Sequence, residues 1–178
     1  RALLPWDCGG EYGDWEIRDY GDRMIMPSFI DAHTHLFSGA VNDSAFVCSD
    51  LGACRSQEEC VEMIRAFADA HPELERIRGT GWFVGNWGNA ALPDKRLLDE
   101  AVGGRPVYLQ CADAHSMWLN TKALREAKID PDLQLSDGII CKFDDGELSG
   151  LLLEPSACAP AVEKYMDFTD AELLEIHR

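Results

Sequence analysis

Phe29-Ile30-Asp31-Ala32-His33-Thr34-His35-Leu36 reads as a short buried strand that follows Pro27 and runs into a loop at Ser38-Gly39. In an extended chain residues i and i+2 face the same side, so His33 and His35 can turn two imidazoles toward one metal ion. Asp31 is placed to accept an imidazole N–H and hold the ring orientation. The same His-x-His also fits two side chains on a solvated loop. Its setting at the carboxyl end of an apolar strand favours the metal, because barrel enzymes carry their chemistry at that end.

The chain on either side supplies the rest of the architecture. Residues 1–22, rich in Gly, Asp, Trp and Tyr, read as a small β element with turns at Gly9-Gly10 and Gly21-Asp22, and Arg23–Met26 reads as a strand. Downstream, Ser56 as N-cap and Glu59 as its box partner open a helix with the apolar stripe Val61, Ile64, Phe67 and Ala68, which His71-Pro72 ends. A strand over Arg76–Phe83 leads through a Gly/Asn/Trp loop to a helix over Asp94–Ala101, bounded by Pro93 and Gly103-Gly104. Pro106–Cys111 is the next strand and Thr121–Lys128 the next helix. Gly138–Phe143 and Glu147–Leu153 form a hairpin around Asp145-Gly146. Strands alternating with helices predict an α/β fold on a parallel sheet, with the hairpin inserted on it.

Composition bounds the function. The 178 residues suffice for one ordinary core. Hydrophobic residues at 46% and charged residues at 27% exclude a disordered tail, a collagen-like repeat and a disulfide miniprotein. Asp plus Glu number 32 against 16 Lys plus Arg, a net charge of -16 that repels phosphate backbones and anionic lipid. Neither nucleic acid nor a membrane is an expected partner, and the plainest role of the acidic surface is solubility. The seven Cys are odd in number and contain no CxxC, which predicts reduced, mostly buried thiols. Cys48, Cys54 and Cys60 recur every six residues, a spacing that suits neither one helix face nor a metal knuckle. No apolar run approaches the ~20 residues of a membrane span and Arg1–Pro5 is too short for a signal peptide, so cytoplasm is the expected compartment.

Both ends predict a piece of a longer chain. The first residue is Arg1, and at the other end Thr169, with Glu172 as box partner and Phe168 and Leu173 as staple, opens a helix that breaks off at Arg178.

Met26-Pro27-Ser28-Phe29-Ile30-Asp31-Ala32-His33-Thr34-His35-Leu36 resembles the PGFIDxHxH motif of the metal-dependent amidohydrolase superfamily. Gly79-Thr80-Gly81-Trp82, Arg105-Pro106-Val107 through Asp113–Asn120, and Asp145–Glu154 are similar to its YtcJ-like branch, amidohydrolase family 3. That branch includes N-substituted formamide deformylases and exoenzyme regulators. Four ordered motifs cover nearly the whole chain; Ser28 departs from the usual Gly, which bears on backbone approach there and not on the ligands.

The resemblance implies a TIM-type barrel with a small composite β-sandwich: residues 1–27 in the sandwich, residues 28–178 in the early barrel with a hairpin insertion. It implies hydrolysis of an amide, formamide or cyclic amide by water activated on one or two divalent metals, commonly zinc. His33 and His35 are then metal ligands. His115, after the third strand, is a candidate for substrate or metal contact, or a histidine held beside Trp118 in a βα loop. Glu154 stands where the family carries a bridging carboxylate, and with Pro155 behind it equally suits the start of a helix. Trp82, Trp87 and Trp118 either wall an acyl pocket or belong to the core. His71 and His177 carry no expected role.

The family's two further His and its proton-shuttling Asp come from later strands than residues 1–178 contain. Two imidazoles fall short of the three protein ligands of catalytic zinc, so the chain alone is expected to bind metal weakly and turn over nothing. The expected partners are a small-molecule substrate and the remainder of the same polypeptide, with a homo-oligomer as a further option. Two rival readings stand beside the enzyme: a non-catalytic or regulatory amidohydrolase-like protein, and an ordinary α/β binding domain in which His33 and His35 are incidental.

Overall fold

A computed structural model describes residues 18, 20–88, 91–102 and 104–177. The chain divides into two compact units, Arg1–Thr34 and His35–Arg178.

In the first unit the turn at Gly21-Asp22 is present, with Gly21 at φ +61° and the Arg23 N–H donating to Tyr20 O at 3.3 Å. The Gly9-Gly10 turn and most of the expected sandwich element lie outside the described residues. Neither expected strand forms: Arg23–Met26 and the stretch from Phe29 carry no strand pairing, and Phe29 and Ile30 are 90% and 92% exposed. An apolar run becomes a strand only when a neighbour satisfies its backbone N–H and C=O groups, and none does so among the described residues. In place of a loop at Ser38-Gly39 the chain enters helix α1, Leu36–Asn42, whose first turn closes with the Gly39 N–H on His35 O at 2.8 Å.

The second unit is a mixed α/β layer structure. Its strands are β1 (Val47–Cys48), β2 (Ile77–Trp82), β3 (Val107–Cys111), β4 (Ser116–Leu119), β5 (Ile139–Lys142) and β6 (Leu148–Leu153). The helices after α1 are α2 (Gln57–Ala70), α3 (Lys95–Val102), α4 (Thr121–Glu126), α5 (Pro155–Tyr165) and α6 (Asp170–Ile176). One sheet runs in the order β1-β2-β3-β4-β6-β5. β1, β2 and β3 pair in parallel, and β4, β6 and β5 continue antiparallel. The expected hairpin is β5–β6, turning at Gly146 with φ +86°. It is part of the same sheet, because β4 pairs with both β3 and β6. Met117-Trp118-Leu119, a stretch for which no strand is expected, is a strand folded back on β3, since three consecutive apolar side chains are buried there on both faces.

Local capping follows the sequence. Ser56 Oγ accepts the Glu59 N–H at 3.2 Å, while the Glu59 carboxylate takes the N–H of Arg55 rather than that of Ser56. Thr169 and Glu172 form the complete reciprocal box. Two apolar clusters sandwich the sheet, one under α2 and α3, the other under α4 and α5. Trp82, Trp87 and Trp118 lie within the first, with ring centroids 6.0 to 6.1 Å apart, so they are core. The described cysteines are free thiols, all buried but Cys141. Among the described residues, no helix is long and apolar enough to cross a membrane.

Candidate active site

Sheet direction locates the site. β4 is antiparallel to β3 and β6 is antiparallel to β4, so β3 and β6 run the same way and their carboxyl ends share one edge. His115 follows β3 and Glu154 follows β6. At that edge His115 Nδ1 lies 3.0 Å from Glu154 Oε2, with both side chains exposed. The hydrogen bond to the carboxylate, then its charge, raises the imidazole pKa from its ordinary 6.5.

The backbone reinforces the pair. Asp113 Oδ1 accepts the His115 N–H at 2.8 Å, closing a tight turn that carries Ala114 at φ +59°. The Glu154 N–H donates to His115 O at 2.7 Å, and Cys158 Sγ donates to the same carbonyl at 3.5 Å. Glu154 sits at φ +68° and ψ 155°, a conformation that costs a non-glycine residue about 1–3 kcal/mol and collects at functional sites. It is also the N-cap position of α5, with Pro155 in the first turn. The helix-start reading of Glu154 is thus met, and its carboxylate is turned to His115.

The other candidates are placed as follows. His33, in the first unit, has its backbone N–H on Asp31 Oδ1 at 3.1 Å, so the carboxylate closes a local turn. His35, in the second unit, is the N-cap position of α1. Imidazoles are suitable zinc donors in kind. Among the described residues, however, no group of three or more His, Cys, Asp or Glu gathers as a metal ion requires. His71 ends α2 and contacts Glu73 at 3.1 Å, and His177 ends α6 near the Phe37 ring, so neither enters the site. Sequence reasoning named His115 and Glu154 but not their pairing, for which no local signal exists across 39 residues.

The chain is similar to known proteins over most of its length. The family described as "Amidohydrolase family" matches residues 16–177. The chain is 29% identical over 146 residues to Protein LONG AFTER FAR-RED 3 of Arabidopsis thaliana, covering 80% of this chain and 24% of that protein. It is 27% identical to putative amidohydrolase YtcJ of Bacillus subtilis, covering 88% of this chain and 31% of that one. It is also 27% identical to an N-substituted formamide deformylase of Arthrobacter pascens, covering 84% and 28%. The chain thus spans about a quarter to a third of the length of these relatives. An uncharacterized metal-dependent hydrolase from Pyrococcus furiosus shares the fold, with a TM-score of 0.55 at 24% identity over 85% of this chain and 28% of that one.

Proposed function

The chain belongs to the amidohydrolase family, and from that membership we propose that the protein is a metal-dependent hydrolase of carbon–nitrogen bonds in amides, formamides or cyclic amides. The observation that carries this reading is the His115–Glu154 pair, two titratable groups from separate strands meeting at the edge where α/β enzymes hold their chemistry. Similarity to an N-substituted formamide deformylase supports the substrate class. The same reading makes β1–β3 part of a TIM-type barrel, and the compartment we propose is the cytoplasm.

His33 and His35 are the ligands we assign to the metal, zinc by preference, with further ligands from outside residues 1–178. When bound, such a metal polarises a carbonyl and lowers the pKa of water. Glu154 accepts from His115 Nδ1, which keeps a proton there and leaves Nε2 to meet the substrate. A raised imidazole pKa keeps the ring protonated nearer neutrality, so His115 can hand a proton to a leaving nitrogen.

The test is elemental analysis of the intact protein with rate assays on N-formyl and N-acyl amides, with and without chelator. Metal content and turnover that vanish together in the His33→Asn/His35→Asn protein support the reading. A folded, metal-free protein that hydrolyses nothing is the non-catalytic family member instead. Unchanged metal and rate in the double variant make the two histidines incidental.

A further inference from the structure

Away from the His115–Glu154 edge, a cleft of about 570 Å³ opens between the end of α4, the start of α3 and the turn from β5 into β6. It meets β6 at Gly146-Glu147-Leu148, the amino end of that strand, whereas Glu154 follows the carboxyl end. Leu124, Ile129, Pro131 and Leu148 give it an apolar wall. Its charged groups are Lys95, Arg125, Lys128 and Glu147, three cations against one anion in a chain of net charge -16. Asp99, bonded to Thr121 of the lining, spends one carboxylate oxygen on the Thr121 N–H at 2.9 Å and the other on its hydroxyl at 2.6 Å.

Two observations point to a ligand. Lys95 is only 5% exposed, and among the described residues its ammonium has a single acceptor, Glu147 Oε1 at 2.8 Å. An ammonium carries three N–H donors, and a charge buried this deeply calls for more than one acceptor. Lys128, for its part, occupies a position suited to glycine. The Ile129 N–H donates to Leu124 O at 3.0 Å and the Lys128 N–H to Arg125 O at 3.1 Å, the paired bonds that close a helix through one left-handed residue. That residue is Lys128, at φ +53°, so a long cationic side chain is carried where it strains the backbone. The two bonds already satisfy the helix-end carbonyls, and the ammonium is not needed to cap them. Among the described residues neither Lys128 nor Arg125 forms an ion pair.

We propose that this cleft binds a small organic anion with a short apolar chain, of the alkanoate kind, its carboxylate held by Lys95 and Lys128 and its chain laid on the Leu124–Ile129–Leu148 wall. Arg125 adds positive charge at the rim, which it shares with a neighbouring cleft. Glu147 offsets one of the three cations, and the remainder attracts a singly charged anion into a site that the acidic surface elsewhere would repel. Inorganic phosphate answers the cations but leaves the apolar wall bare, so the chain is what selects the ligand.

The experiment is a calorimetric titration of the intact protein with hexanoate, acetate, 1-hexanol and inorganic phosphate. Hexanoate should bind with one site, and acetate, which lacks the chain, and hexanol, which lacks the charge, about tenfold more weakly or worse. Lys95→Met should weaken hexanoate by about tenfold and Lys128→Gly by about fivefold. Lys128→Gly also relieves the left-handed strain, so its melting temperature should rise while its affinity falls, which separates lost binding from lost folding. Lys164→Ala on α5, His115→Asn and His33→Asn/His35→Asn should leave the affinity unchanged. No binding of hexanoate, equal binding of acetate or hexanol, tighter binding of phosphate, or unaltered affinity in Lys128→Gly each overturns the proposal. Loss of binding in either histidine variant moves the anion to another site and overturns it too. Hexanoate has no carbon–nitrogen bond and the readout is affinity, so failure here is separate from failure of the hydrolase reading.

Discussion

His115 Nδ1 and Glu154 Oε2 meet at 3.0 Å although 39 residues separate them, because β3 and β6 run in the same direction with only β4 between them. The carboxylate raises the His115 pKa above 6.5, so the folded protein holds this proton more tightly than the unfolded chain does. Its contribution to stability is therefore complete below the unfolded value and is lost as pH rises through the folded one. An NMR titration should give His115 an apparent pKa above 6.5 in the wild type and a lower one in Glu154→Gln. Identical titration curves would remove the carboxylate as the cause.

Arg78, only 3% exposed on β2, has no carboxylate at hydrogen-bond distance among the described residues. Its Nε donates to Tyr165 O and its Nη2 to Asp167 O, each at 2.7 Å, and the guanidinium lies 4.1 Å from the Phe168 ring centroid. Arg78→Ala removes both donors and leaves a cavity, so urea unfolding should show a loss of about 3–5 kcal/mol. Arg78→Lys should recover only a part of it, since an ammonium cannot span both carbonyls as a fork.

Asn120 clamps β3 to α4. Its Oδ1 accepts the N–H of Val107 at 3.0 Å and of Ala123 at 2.9 Å, while its Nδ2 donates to Arg105 O at 2.8 Å. Asn120→Ala should cost about 2–4 kcal/mol in equilibrium denaturation, a lost cap plus orphaned buried groups. Asn120→Asp keeps both acceptor contacts and should lie between Ala and wild type.

Gly150 on β6 sits at φ +96°, and a Cβ there would stand 2.3 Å from Leu119 O and 2.7 Å from Lys95 Cβ. Gly150→Ala combines backbone strain with collision against β4 and α3. Thermal unfolding should report a loss of about 2 kcal/mol or more, where the same change at open Gly88 stays within about 0.5 kcal/mol.

Much of the local structure was legible. Ser56 and Thr169 cap their helices because capping involves atoms within one turn, and Asp145-Gly146 turns β5 into β6 because the geometry needs only Gly146 at positive φ. Phe29–Leu36 is the opposite case. Its apolar pattern is real, but a strand is a pairing, and the pairing partner is not written in the segment. β4 carries no strand signal of its own, because Met117-Trp118-Leu119 lacks the alternation of a half-buried strand.

The sequence by itself determined the family, the α/β alternation, the caps and turns, and the identity of the groups able to do chemistry, since each depends on residue type and near neighbours. Only the tertiary structure decided that Trp82, Trp87 and Trp118 are core, that Arg78 reaches past the end of α5, and that Glu154 stands against His115. Those relationships follow from strand order and direction. Strand order is set by burying the apolar faces of the whole unit at once, which no stretch of sequence records alone.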